Sequence, residues 1–209
     1  DWSTPFALTV RDAQGAHFRD ADGHQYVDFC LGDTGSMFGH SPEPLAHAIS
    51  EQAANGLSYM LPTAKAGAVG DMLSAMFGLP KWQVTTTASE ANRAVIRWCR
   101  GLTQRNKILI FNGCYHGAVD DVFVDLRGGA AVNRPSLIGQ VHDILPTTTV
   151  IEFNDEAALE EALRRHDVAC VLAEPLMTNI GMVRDALGYL ATLRRLCDET
   201  GTLLVFDET

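Results

Sequence analysis

Apolar residues follow two different patterns along this chain. In its second half they come in short unbroken runs: KILIFN (107–112), VACVLAE (168–174) and TLLVFD (202–207). Apolar runs without alternation mark strands buried on both faces, as in parallel sheets. A further strand is expected near 147–153, and WQVTTT (82–87) also reads as a strand. Between them lie DEAALEEALRRH (155–166) and ALGYLATLRRLCDETG (186–201), whose apolar positions recur at helical spacing. A helix is predicted over 89–101, with Ala91, Ala94, Val95 and Trp98 on one face, and 113–140 reads as loop-rich.

The first fifty residues differ. AHFRDADGHQYVDFC (16–30) alternates, and its Asp22-Gly23 pair signals a tight hairpin. SPEPLAHAISEQAANG (41–56) predicts a helix with Ser41 as N-cap and Gly56 as its stop, and 64–77 predicts a second helix ending at Gly78. There are no internal repeats and no Pro/Ser-rich linker. Helices alternating with short apolar strands predict an α/β fold with a parallel sheet.

Composition narrows the function classes. The 209 residues carry 16 Lys plus Arg against 26 Asp plus Glu, a formal charge of −10. A nucleic acid is not an expected partner for such a chain. No stretch approaches the ~18 apolar residues of a membrane span, and no charged-then-apolar leader is visible. The cysteines Cys30, Cys99, Cys114, Cys170 and Cys197 are odd in number and form no C-x-x-C pair. They read as buried free thiols of a cytoplasmic protein. No metal site is expected.

In open parallel sheets, ligands bind beyond the carboxyl ends of the strands. After WQVTTT come Ala88, Ser89 and Glu90, opening a helix; after KILIFN comes GCYHG; after VACVLA comes Glu174-Pro175; after TLLVF comes Asp207-Glu208. Each has a plain alternative. TTTASEA can be only a helix cap, Tyr115 only packing, His116 a hydrogen-bonded loop residue, and Glu174 a strand terminator. Asp207 is harder to explain away, because a carboxylate after a buried run costs free energy unless it is paired. Together the tips suit a flat cationic ring carrying a phosphate. Backbone N–H groups at Ala88 and Ser89 suit the phosphate, Tyr115 offers a face for stacking, and Asp207 suits a protonated ring nitrogen. Pyridoxal 5'-phosphate (PLP) is such a ligand.

The sequence resembles the class III (omega-type) PLP-dependent aminotransferases, most closely the branch of glutamate-1-semialdehyde aminomutases and beta-amino-acid aminotransferases. The resemblance rests on four blocks in order: DADGHQYVDFCLGDTGSMFGHSPEPLAHAI, TTTASEANRAVIRWCRGLTQRNKILIFNGCYHG, LAEPLMTNIGMV and TGTLLVFDET. It implies the large domain of PLP-dependent fold type I (aspartate-aminotransferase-like), here incomplete. Residues 1–56 would be an N-terminal segment of short strands and a helix contributing to the small domain. Residues 57–209 would be the first part of the PLP-binding large domain. It also implies a homodimer and small-molecule substrates, an amino donor and a carbonyl acceptor. Carried over residue by residue, it places Thr87, Ala88 and Ser89 at the phosphate, with Tyr115 stacked on the ring and His116 beside it. Asp207 falls on the pyridinium nitrogen and Glu174 in a bracing role. Asp33, in GDTGSMFGH, and Asn179 fall on the substrate side.

The departures from the family pattern also matter. Ala88 replaces a glycine, so the phosphate turn must avoid positive φ or absorb strain. Thr209 replaces a valine. Asn179 stands where many omega-amino-acid enzymes place a glutamate. The family's Schiff-base lysine would lie beyond Thr209, since Lys65, Lys81 and Lys107 all stand in the wrong places, so no catalytic residue is expected in these 209 residues. The chain is expected to be the N-terminal half of a longer enzyme. The resemblance implies a transaminase. An aminomutase-type isomerase and a non-catalytic α/β module for a phosphate-bearing ligand are the alternatives.

Overall fold

The computed structural model describes residues 7–135 and 137–209; residues 1–6 of the expected N-terminal segment lie outside them. The chain divides into two compact units, 1–82 and 83–209. The first unit opens with an antiparallel sheet of β1 (Val10–Gln14), β2 (His17–Asp20) and β3 (Gln25–Val27). The predicted Asp22-Gly23 hairpin joins β2 to β3, with Gly23 at φ 92°. Asp20 fastens this turn: its carboxylate accepts from the His24 N–H and the Tyr26 hydroxyl. Two helices follow, α1 (Glu43–Asn55) and α2 (Ala64–Phe77), the latter closed by Gly78 in the left-handed conformation. Ser41 is not the cap of α1. It sits at φ 49°, its hydroxyl donates to the Ala13 carbonyl, and Pro42 caps the helix without a side-chain bond. Pro44 in the first turn has no N–H to satisfy, which makes a side-chain cap less necessary.

The second unit is the α/β body. Its elements are α3 (Ala88–Thr103), β4 (Lys107–Phe111), β5 (Val124–Arg127), β6 (Ala130–Asn133), β7 (Thr148–Ile151), α4 (Glu156–Leu163), β8 (Val168–Ala173), α5 (Tyr189–Thr200) and β9 (Leu203–Phe206). The parallel sheet runs β7-β4-β8-β9, with Leu109 beside Val171 and Val171 beside Leu204. β8 is buried along its whole length, which is why VACVLA carries no polar position. The core gathers β4 and β8 with Ile96, Leu159, Leu163, Leu193 and Leu196 from the helices. At the N-terminal edge of the sheet, Arg105 donates to the Val168 and Thr200 carbonyls. Lys107 pairs there with Asp167 at 2.6 Å.

Several expectations fail here, among them that of a strand buried on both faces at TLLVFD, since β9 is only partly buried and Phe206 is exposed. WQVTTT forms no strand: nothing among the described residues pairs with it, and Val84 is exposed. An extended segment without a ladder partner has no reason to register as one. Helix α3 buries Asn92, Ile96 and Cys99, while Trp98 is exposed, so its inner face is rotated from the one expected. The stretch 113–140 contains the antiparallel hairpin of β5 and β6, turned by Gly128 and Gly129, both at positive φ. Among the cysteines, Cys99, Cys114, Cys170 and Cys197 are buried free thiols, but Cys30 is exposed.

Candidate active site

Helix α3 begins at Thr87, whose hydroxyl accepts from the Glu90 N–H at 3.2 Å. Glu90 reaches back to the Thr86 N–H and hydroxyl, completing a reciprocal cap. The Thr87 hydroxyl is thereby engaged with the helix itself. Ala88 and Ser89 occupy the first two helical positions, and their N–H groups have no acceptor among the described residues. Such donors, at the positive end of a sixteen-residue helix, are of the kind that suits an anion. Ala88 resolves the question of its missing glycine: it is helical and takes no positive φ.

The loop after β4 closes over this helix start. The Ala118 N–H donates to the Ser89 hydroxyl at 2.9 Å. Gly117 lies so close that a Cβ there would stand 2.2 Å from Ser89 Oγ, and it sits at φ 79°. Gly113, at φ 80°, meets Ile180 in the same way. Between these glycines Tyr115 is 59% exposed while His116 is buried.

Asp207 ends β9, and its backbone N–H still donates to the Ala173 carbonyl. Its Oδ2 accepts twice, from His116 Nδ1 at 2.8 Å and from Asn92 Nδ2 at 2.8 Å. Its Oδ1 accepts from the Thr209 N–H at 3.2 Å. Burial opposes the charge, but the hydrogen bonds from His116, Thr209 and Asn92 hold this carboxyl well below the usual carboxylate range. Burial likewise opposes a charged His116, yet Asp207 and Cys114 outweigh it and push the imidazole up to about 9. Both partners therefore carry charge at neutral pH.

Glu174 braces the other side of the loop. It is buried; Oε1 accepts from the Tyr115 N–H, and Oε2 accepts from the Thr178 N–H and hydroxyl. Asn179 donates to the Gly113 carbonyl at 3.0 Å. A cleft of about 290 Å³ runs along the edge, lined by Ala88, Ala91, Asn92, Phe206, Asp207 and Thr209. Tyr115 does not line it.

The structure thus brings Thr87, Ala88, Ser89, Tyr115, His116, Glu174, Asn179 and Asp207 into one connected edge of the second unit. Asp33 belongs to the first unit, where Leu31, Gly32, Asp33 and Thr34 are all left-handed. That turn is held by Asp28, which accepts from the Cys30 and Leu31 N–H groups and pairs with His40 at 2.7 Å. Asn92 is the site residue that sequence reasoning missed. The signal was present: a polar side chain spaced four and seven residues before Ile96 and Cys99 on a buried helical face.

The family described as aminotransferase class-III matches residues 1–209. The chain belongs to the class III aminotransferases. It is similar, at 36% identity over 207 residues, to a glutamate-1-semialdehyde 2,1-aminomutase of Methanosphaera stadtmanae, covering 98% of this chain and 49% of that one. Among solved structures it resembles a glutamate-1-semialdehyde aminomutase of Pseudomonas aeruginosa PAO1, with TM-score 0.96 and 48% identity. That alignment covers all of this chain and 46% of the other; a variant of the same aminomutase was solved in complex with PMP. A transaminase solved with PLP bound matches with TM-score 0.88 and 32% identity over 99% of this class III chain and 50% of its own. This class III chain spans about half the length of the curated relatives it matches. The α/β body described above is that of the PLP-dependent aminotransferase fold. No helix among the described residues is long and apolar enough to cross a membrane.

Proposed function

We propose that the whole protein is a PLP-dependent transaminase, moving an amino group between an amino acid or amine and a keto acid or aldehyde. The observation that carries this reading is one cleft lined both by the start of α3 and by Asp207. The residues present fit PLP. Two free N–H groups at the helix start suit a phosphate, the cleft volume suits a small aromatic ring, and Asp207 retains one open lone pair on Oδ1 for a ring N–H. Bound PLP supplies an electron sink for negative charge developing beside the amino-bearing carbon.

The remaining work falls to the chain's own groups. Ala88 and Ser89 orient the phosphate, with the Ser89 hydroxyl proton free to join them while its oxygen accepts from Ala118. Asp207 holds the proton on the ring nitrogen. Tyr115 offers its exposed ring face to the cofactor. Thr87 acts by capping the helix and Glu174 by tying the Tyr115 loop to Thr178. Asn179 and Asp33 are assigned to the substrate side. In the same reading the protein is a cytoplasmic homodimer; residues 1–56 contribute to a small domain and 57–209 to the cofactor-binding one.

A second reading is favoured by the relatives, several of which are glutamate-1-semialdehyde aminomutases at 33–36% identity. An aminomutase would return the amino group to the same carbon skeleton. The full-length protein, purified with PLP, separates the two when given an amino donor with and without an external keto acid. Strict dependence on the acceptor supports transfer between molecules, and turnover of a single amino aldehyde without acceptor supports the mutase. Failure to bind PLP at all would leave neither.

A further inference from the structure

We propose that Arg134 is a positioning residue for Tyr115: by holding the carbonyl of the Cys114–Tyr115 peptide while Glu174 holds its N–H, it fixes the plane from which the Tyr115 ring is presented. This deepens the PLP reading above and rests on it. Arg134 follows β6 directly. Its Nη1 donates to the Cys114 carbonyl at 3.1 Å, and its Nε donates to Asp125 Oδ1 at 2.8 Å. From the other side, the Tyr115 N–H donates to Glu174 Oε1 at 3.2 Å. A trans peptide carries its C=O and N–H on opposite edges of one rigid plane. A cation on one edge and a carboxylate on the other therefore stop that plane from turning about its two flanking bonds. One of those bonds is the φ bond of Tyr115, so the direction in which its side chain leaves the backbone is set as well.

The base from which Arg134 acts is itself held. Its backbone N–H donates to the Phe123 carbonyl at 2.8 Å, and its guanidinium lies 5.7 Å from the centre of the Phe123 ring. Asn112, just after β4, accepts from the Leu126 N–H at 2.8 Å and so fastens β5 to the parallel sheet. The Arg134 and Asp125 side chains are only 16% and 19% exposed. An ion pair this far buried adds little net stability, because desolvation offsets the attraction. Nη2 is also buried, with no hydrogen-bond partner among the described residues, an arrangement that stability alone would not select. What the pair supplies is direction. Guanidinium nitrogens stand in a rigid planar fork, so seating Nε on Asp125 aims Nη1 at the Cys114 carbonyl.

A double-mutant cycle in the full-length protein supplies the test. PLP affinity is measured for wild type, Arg134→Met, Tyr115→Ala and the double variant, with thermal unfolding as a check of folding. Arg134→Met is expected to weaken PLP binding by roughly fivefold in the wild-type background and by less than about twofold where Tyr115 is already alanine, since effects exerted through one side chain are not additive. Equal losses in both backgrounds, or no loss in wild type, overturn the proposal. Arg134→Lys keeps a cation beside Asp125 without the fork; it takes the place of methionine in the cycle where methionine does not fold, and is judged by the same outcomes. Ligand-free protein separates this idea from the cofactor reading. Hydrogen–deuterium exchange of residues 113–118, followed by mass spectrometry without PLP, is expected to speed up in Arg134→Met, because the Tyr115 N–H loses its fixed approach to Glu174. Wild type that binds no PLP, with this loosening in the variant, overturns the cofactor reading and retains the positioning; unchanged exchange overturns the positioning itself.

Discussion

Ser89 and Gly117 lock the start of α3 against the loop that follows β4. The Ala118 N–H donates to the Ser89 hydroxyl, and no atom larger than hydrogen fits on the Gly117 Cα at that approach. Gly117→Ala adds a methyl group into this contact at a left-handed φ. The variant is expected to lose roughly 1–3 kcal/mol, read as a lower denaturant midpoint, together with weaker PLP binding in the full-length protein. An unchanged midpoint would show that the loop moves freely off the helix.

Asp207→Asn tests the ring contact. The amide has nearly the same volume but cannot hold a proton on the ring nitrogen, while the donors at Ala88 and Ser89 remain for the phosphate. The loss should fall on kcat rather than KM. At least tenfold is expected, equivalent to ~1.4 kcal/mol of barrier. Near-normal turnover with a normal PLP absorbance band would falsify the assignment and leave Asp207 a structural carboxylate.

The His116–Asp207 pair makes a signed pH prediction. His116 has its pKa raised from 6.5 to about 9, so its stabilisation is complete below pH 6.5 and is lost as pH rises through 9. Asp207 is shifted the opposite way, so its contribution is present above the ordinary carboxylate range and disappears only as strong acid protonates it in the folded state. Denaturant midpoints measured from pH 6 to 10 should fall across the alkaline half for wild type. The fall should be smaller for His116→Asn, which has no titrating ring.

Glu174 is expected to matter for stability before chemistry. Glu174→Ala removes three acceptor contacts and strands the Tyr115 and Thr178 N–H groups. A loss of about 1.5–3 kcal/mol follows from removing hydrogen bonds made to a charged group, measurable by thermal unfolding. Glu174→Gln keeps one acceptor oxygen and should recover part of it.

Much of this was legible in the sequence because strand-tip chemistry is local. KILIF and VACVLA read as buried strands and are buried almost throughout; LLVF reads the same way, but β9 at the sheet edge is only partly buried and Phe206 is exposed, and the residues following these strands supply most of the candidate site. What failed depended on distant partners. WQVTTT has strand-like residues but no ladder to join among the described residues. Trp98 was placed inside by spacing alone, although Ile96 and Cys99 fill that face. The hairpin of β5 and β6 could have been found from Gly128-Gly129, a turn signal between two short runs. The Asn92–Asp207 bond spans 115 positions, and no local pattern announces a partner that far away.

The uneven occupancy of Asp207 also bears on which cations the cleft accepts. Oδ2 is doubly engaged and Oδ1 singly, so one acceptor direction remains. A guanidinium fork needs both oxygens of a carboxylate side by side. An ammonium group is strongly hydrated and seeks several acceptors at once. A planar heterocycle with a single in-plane N–H needs only one. Saturating one oxygen makes the remaining one a filter for ligand geometry as well as for charge.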